Sequence, residues 1–137
     1  MSDTRPSAGG RRLISSGSEF EQTYSYSRAV VVGSHVMLSG TTGYDYASST
    51  LAKGAREQTL QLFRNASAAF SQAGATLSDV VRVRMYLSQA AHYEEIMAVF
   101  AETFRGVNPA CTTVEAGLFD PEILVEMDMD AILDVRA

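Results

Sequence analysis

The stretch "ILVEMDMDAILDV", residues 123–135, decides the fold. Its odd positions Ile123, Val125, Met127, Met129, Ala131, Leu133 and Val135 are all apolar, while Glu126, Asp128, Asp130 and Asp134 all fall on even ones. A period of two belongs to a β-strand, so one face packs on helices and the other is acidic. Working back along the chain, "VVRVRMYL" at 80–87 alternates in the same way. Val81, Val83, Met85 and Leu87 share one face; Val80, Arg82, Arg84 and Tyr86 share the other. Between these strands, Ser88 is placed to cap a helix running to about Phe104, with Tyr93, Ile96, Met97, Phe100 and Phe104 inward. Asn108-Pro109 ends it.

Further upstream, Thr59, Leu62, Phe63, Ala66, Ala69, Phe70 and Ala73 recur at steps of three and four, predicting an amphipathic helix over Ala55–Ala73. Gly74 stands where a left-handed cap is expected, and "TLSD" follows as a turn. Two β-rich runs, about 25–32 and 35–39, flank Gly33-Ser34 and predict a hairpin. "TTGYDYASSTLAKG" has turn residues without a period and reads as a loop. Residues 1–17, rich in Ser, Gly, Arg and Pro, read as a tail outside the fold, leaving a domain at 18–137. Strands in these positions, with helices enough for one face, predict an α+β two-layer sandwich: a mixed β-sheet with two helices on one side. The opposite face, with Tyr86, Arg82, Arg84 and carboxylates, is too mixed for simple solvation and is expected to meet other subunits.

A chain of 137 residues suits one domain and one site. A formal charge of −5 argues against nucleic-acid partners, which need clustered Lys and Arg to neutralise phosphates. The lone cysteine, Cys111, rules out an internal disulfide framework and fits a reducing, cytoplasmic setting. No signal-peptide core and no run of membrane-spanning length are read, so no membrane partner is expected. His35 and His92 lack companions at ligand spacing, so no metal site is expected.

"YSRAVVVG", "LSG" at 38–40, "EQ" at 57–58, "RNASAAFSQAGATLSDVVRVRMYL" at 64–87, "NPA" at 108–110 and "VEMDMDA" at 125–131 together resemble the Rid family of enamine and imine deaminases, also called the YjgF/YER057c/UK114 family. The likeness spans roughly residues 18 to 135. It implies a chorismate-mutase-like subunit, a homotrimer, a pocket at each subunit interface, a small-molecule substrate and no cofactor. By the same resemblance, Glu126 in "VEMD" is the family's catalytic glutamate, orienting or deprotonating water, and Tyr26 in "YSR" is a pocket tyrosine.

The family's arginine follows "PA", where this chain has Cys111. An arginine there would grip a substrate carboxylate with two charged hydrogen bonds, and a thiol has no equivalent. Three accounts of Cys111 stay open: a small apolar wall residue, a substrate-pocket residue whose anchoring duty has passed to Arg28 or Arg84 or is not needed, and a nucleophile. Arg28 shares a strand face with Tyr26 and is the candidate anion anchor. The expected function is hydrolytic deamination of a small enamine or imine. The alternative is a non-catalytic module that binds a metabolite or partner.

Overall fold

The computed structural model describes residues 10–133. Among the described residues, eight strands and three α-helices follow in the order β1 (Arg11–Ile14), α1 (Glu19–Tyr24), β2 (Ala29–Val32), β3 (His35–Thr41), β4 (Tyr44–Asp45), β5 (Thr50–Leu51), α2 (Ala55–Gln72), β6 (Val80–Leu87), α3 (Tyr93–Thr103), β7 (Ala110–Glu115) and β8 (Val125–Ile132). Six strands form one sheet in the order β1-β2-β3-β8-β6-β7. Only β6 and β7 run parallel; the other neighbours are antiparallel, so the sheet is mixed. Helices α2 and α3 cover one face, giving the α+β two-layer sandwich that the hydrophobic periods predict.

The central strand β8 behaves as its alternation dictates. Val125, Met127, Met129 and Ala131 are fully buried, while Glu126, Asp128 and Asp130 face the other way. The predicted start at Ile123 lies just ahead of the strand, and Asp134 and Val135 lie outside the described residues. Helix α2 places Leu62, Phe63, Ala66, Ala69 and Phe70 against the sheet. It stops where Gly74, at φ +80°, lets the Ala75 amide donate back to the Phe70 carbonyl at 2.8 Å.

Several local expectations differ from the structure. Arg11–Ile14, assigned to the tail, form edge strand β1 on β2, with Ile14 fully buried, so the fold extends ahead of residue 18. Residues 1–9 of that tail lie outside the described residues. The run 25–28 is not strand: α1 precedes it and ends at Ser25 in the left-handed region, so β2 begins only at Ala29. Ser88 does not cap α3, because a short 3-10 turn at Ala90–His92 intervenes and the Ser88 amide donates to the Leu124 carbonyl at 3.2 Å. In β6 a register irregularity between Val80 and Arg82 turns Val80 into the core and leaves Val81 half-buried.

The segment expected as a loop holds the small hairpin β4–β5, whose tip is organised by Asp45 accepting from the amides of Ala47 and Ser48. On α3, Ile96, Val99, Phe100 and the following Phe104 are buried, whereas Tyr93 is exposed. Among the described residues, no helix is long and apolar enough to cross a membrane.

Candidate functional site

Glu126 stands on the helix-free face of β8, directly across from Tyr86 of β6. Its side chain crosses Gly40 of β3, where an added Cβ would lie 2.1 Å from Glu126 Oε2. The absence of a side chain at Gly40 is thus what lets the carboxylate lie there. Among the described residues Glu126 has no hydrogen bond or ion pair. Burial pushes its carboxyl above the usual carboxylate range; the nearby Arg28 guanidinium pulls the other way, and Asp128 adds to the rise.

Arg28 is fixed by its backbone between two strands: its amide donates to Ile14 O at 2.8 Å and its carbonyl accepts from the Ser39 amide at 2.9 Å. Its side chain is buried, only 6% of the residue being exposed. Nη1 donates to the Tyr46 hydroxyl at 2.9 Å, and the guanidinium carbon lies 5.9 Å from the centre of the Tyr26 ring. Nε lies 3.5 Å from Glu21 Oε2, close enough for an ion pair but without a directed hydrogen bond.

Glu21 is itself buried. Its Oε1 accepts from Ser15 Oγ and from the Ser16 amide, both at 3.1 Å, and its Oε2 accepts from Ser16 Oγ. Beside this cluster, a cavity of about 300 Å³ is lined by residues including Leu13, Ser15, Glu21, Gln22 and Tyr26. Farther along the same sheet face, Asp128 accepts from Arg84 Nη1 at 2.7 Å and from the Tyr86 hydroxyl at 2.8 Å.

Three of the four site residues read from the sequence therefore gather: Tyr26 and Arg28 in contact, and Glu126 within electrostatic reach of Arg28. Cys111 is apart. It pairs with Val83 and shares that residue's helix-side parity, whereas Glu126 lies on the opposite face. In register, Glu126 faces Tyr86, which faces Val114, three residues along β7 from Cys111. Two strand spacings across and three residues along amount to roughly 14 Å between backbones. Cys111 is exposed on the sheet's edge strand, its Sγ 3.8 Å from Thr113 Oγ1.

Sequence reading missed Glu21 and Gly40, and it favours loop packing over ligand contact for Tyr44 and Tyr46. Glu21 had a signal, since Ser18 and Glu21 have the spacing of a capping box, and Ser18 does cap α1 by accepting from the Phe20 amide. Gly40 belongs to the "LSG" fragment, but its role depends on Glu126, far along the chain on the neighbouring strand β8. The partner of Tyr46 was not legible, because only folding brings the β4–β5 hairpin to Arg28. Among the described residues, no group of three His, Cys, Asp or Glu side chains is arranged to hold a metal ion.

A mixed sheet with two helices on one face and, on the other, a carboxylate that has no hydrogen bond or ion pair among the described residues defines an α+β protein with a small polar site on its sheet face. The sequence model of the family described as endoribonuclease L-PSP matches residues 16–133. The chain therefore belongs to that family, which is the YjgF/YER057c/UK114 or Rid family of the resemblance. A crystal structure of Rv2704 from Mycobacterium tuberculosis, a member of the YjgF/YER057c/UK114 family, superimposes with a TM-score of 0.82 at 40% identity, covering 90% of this chain and 99% of that one. RidA from the Antarctic bacterium Psychrobacter sp. PAMC 21119 gives a TM-score of 0.75 at 30% identity, over 79% of this chain and 88% of that one. A 2-iminobutanoate/2-iminopropanoate deaminase of Dermatophagoides farinae is 30% identical over 125 residues, 90% of this chain and 98% of the relative.

Proposed function

We propose that the protein hydrolyses the C=N bond of a small imine, or of an enamine after its tautomerisation, releasing ammonia. The observation that carries this reading is Glu126: a half-buried carboxylate without a hydrogen-bond or ion-pair partner among the described residues, held across Gly40 on the helix-free face. A carboxylate whose pKa is raised by burial is a better proton acceptor than one in water, which suits a general base. Water adds to the iminium carbon while Glu126 takes its proton. The carbinolamine nitrogen then receives that proton, its C–N bond breaks as the C=O bond forms, and ammonia leaves. Overall R₂C=NH₂⁺ and H₂O give R₂C=O and NH₄⁺, so neither oxidant nor cofactor is consumed. Tyr26 supplies a wall of the pocket and Arg28 a fixed cation facing Glu126.

The named activity of the mite relative and the family membership support this reading over others. A homotrimer with the site at subunit interfaces belongs to the same proposal: a neighbouring copy's β7 edge could bring Cys111 to the pocket that its own chain denies it. RNA cleavage is the weaker reading, since the chain's net charge of −5 opposes a polyanion. The distance of Cys111 from Glu126 favours a second reading, a binder without turnover. Ligand would then raise Tm while staying chemically intact.

The test is ammonia release from imines generated in place by an amino-acid oxidase or delivered from dry solvent, with and without the protein, with Glu126→Gln as control. Acceleration lost in the variant supports the hydrolase. No acceleration with any imine, or acceleration that survives the substitution, removes the proposal.

A further inference from the structure

Resting on the imine-hydrolase reading, we infer that the substrate carries no carboxylate and enters as an iminium cation whose charge is matched by Glu126. The argument starts from how Arg28 is spent. A guanidinium grips a carboxylate through one of two edges, Nε with Nη2 or Nη1 with Nη2. Nη1 already donates to Tyr46 at 2.9 Å, and Nε, though it makes no directed hydrogen bond, lies 3.5 Å from Glu21 Oε2. The Nη1–Nη2 edge is thus partly used, and the Nε–Nη2 edge has the Glu21 carboxylate beside it, where a ligand carboxylate would meet its charge.

The charge is spent as well. Glu21 accepts hydrogen bonds from Ser15 and Ser16 on both oxygens, the pattern of an ionised carboxylate. With Arg28 and Glu21 only 6% and 5% exposed, they form a buried pair, and drawing Arg28 to a substrate anion would leave Glu21 buried without its counter-ion. Counting Glu21 as −1, Arg28 as +1 and Glu126 as −1 leaves this part of the site at −1. On the same face Arg84 is committed to Asp128 and Asp130. Cys111, where the resemblance puts an arginine, adds no cation. An iminium ion neutralises the remaining charge. A 2-imino acid would instead bring a second carboxylate toward Glu126 while Arg28 is paired with Glu21 and Arg84 with Asp128 and Asp130; Arg82, exposed on the same face, stands four residues along β6 from the Tyr86 that Glu126 faces.

The experiment compares two imines that differ at one substituent: 2-iminopropanoate, made from alanine by an amino-acid oxidase, and propan-2-imine, delivered from dry solvent, which has methyl in place of carboxylate. Ammonia release is followed for the wild type, Glu126→Gln, Glu21→Gln and Tyr46→Phe. The expected result is a kcat/KM for propan-2-imine about tenfold or more above that for 2-iminopropanoate, lost in Glu126→Gln. Glu21→Gln frees the charge of Arg28 and should shift the ratio toward 2-iminopropanoate. Tyr46→Phe frees one prong, leaves the buried ion pair intact, and should shift it the same way by less, which keeps the test usable if Glu21→Gln folds poorly.

A wild type that prefers 2-iminopropanoate in a Glu126-dependent reaction overturns the inference while sparing the hydrolase reading. An unchanged ratio in a folded Tyr46→Phe and a folded Glu21→Gln overturns the account of Arg28. Acceleration of neither imine removes the hydrolase reading and this inference with it.

Discussion

The two faces of β8 come from alternate residues of one strand and obey different rules. On the helix side, Val125, Met127, Met129 and Ala131 are fully buried and held by close packing, in which any apolar side chain of the right volume would serve. On the other side, groups are held by particular partners. Asp128 has Arg84 and Tyr86; Asp130 has Arg84 at 3.8 Å and His35 at 3.8 Å. Glu126, the third carboxylate of that row, has no such partner among the described residues. The first face makes the fold, and the exception on the second marks the site.

The largest expected effect separates these faces by activity. Glu126→Gln should lower imine turnover by about 10²–10⁴-fold, the usual contribution of a positioned general base, with circular dichroism and urea midpoint near those of the wild type. If turnover falls only because the protein unfolds, Glu126 belongs with the structural row after all. Met127→Ala inverts the pattern. Removing a fully buried methionine side chain should cost about 2–5 kcal/mol in urea unfolding, while activity per folded molecule stays close to that of the wild type.

Gly40→Ala tests the point where the two rules meet. The new Cβ would stand 2.1 Å from Glu126 Oε2, so the carboxylate must swing away. Because the obstructed group is the end of a flexible side chain, stability should fall less than for Met127→Ala. Turnover should drop on the order of 10²-fold, as expected for a catalytic group misplaced by about 1 Å. Full activity in Gly40→Ala would mean that Glu126 works from another position.

The sequence made the first face legible and the second only in part. Alternation in β8 and the three-and-four spacing of α2 are local patterns repeated over many residues, so one misfit does not hide them. The Gly74 stop is equally local. Helix α1 is six residues long, too short to show a period, and its capping spacing was its one sign. Strand β1 has only Leu13 and Ile14 as apolar content; it forms because the edge of β2 offers backbone partners, which composition does not record.

The polar site depends on still longer range. Tyr26, Arg28 and Glu126 could be picked out, the first and last by resemblance. That Arg28 is buried against Glu21 and Tyr46 follows from three segments meeting. Nor could the string place Cys111 on the far edge strand, since an edge is a property of the sheet order and not of the residues in β7.

The smallest expected effect is also the one that most directly tests whether Glu126 stands apart from Asp128 and Asp130. Burial raises its folded-state pKa above the unfolded value, so the folded chain holds that proton more tightly than the unfolded chain does. Its contribution to stability is therefore most favourable below the unfolded carboxylate range, and it declines as pH rises from that range through the raised folded pKa. Glu126→Gln removes the decline. The Tm of the variant minus that of the wild type, followed by calorimetry from acid to neutral pH, should rise across that window and level off above it. The corresponding rate measurement should show the acidic limb of kcat/KM for imine hydrolysis above the ordinary carboxylate range. A Tm difference that falls with pH would mean that the folded protein favours ionised Glu126 through a partner, and the distinction between it and its two neighbours on the strand would be lost.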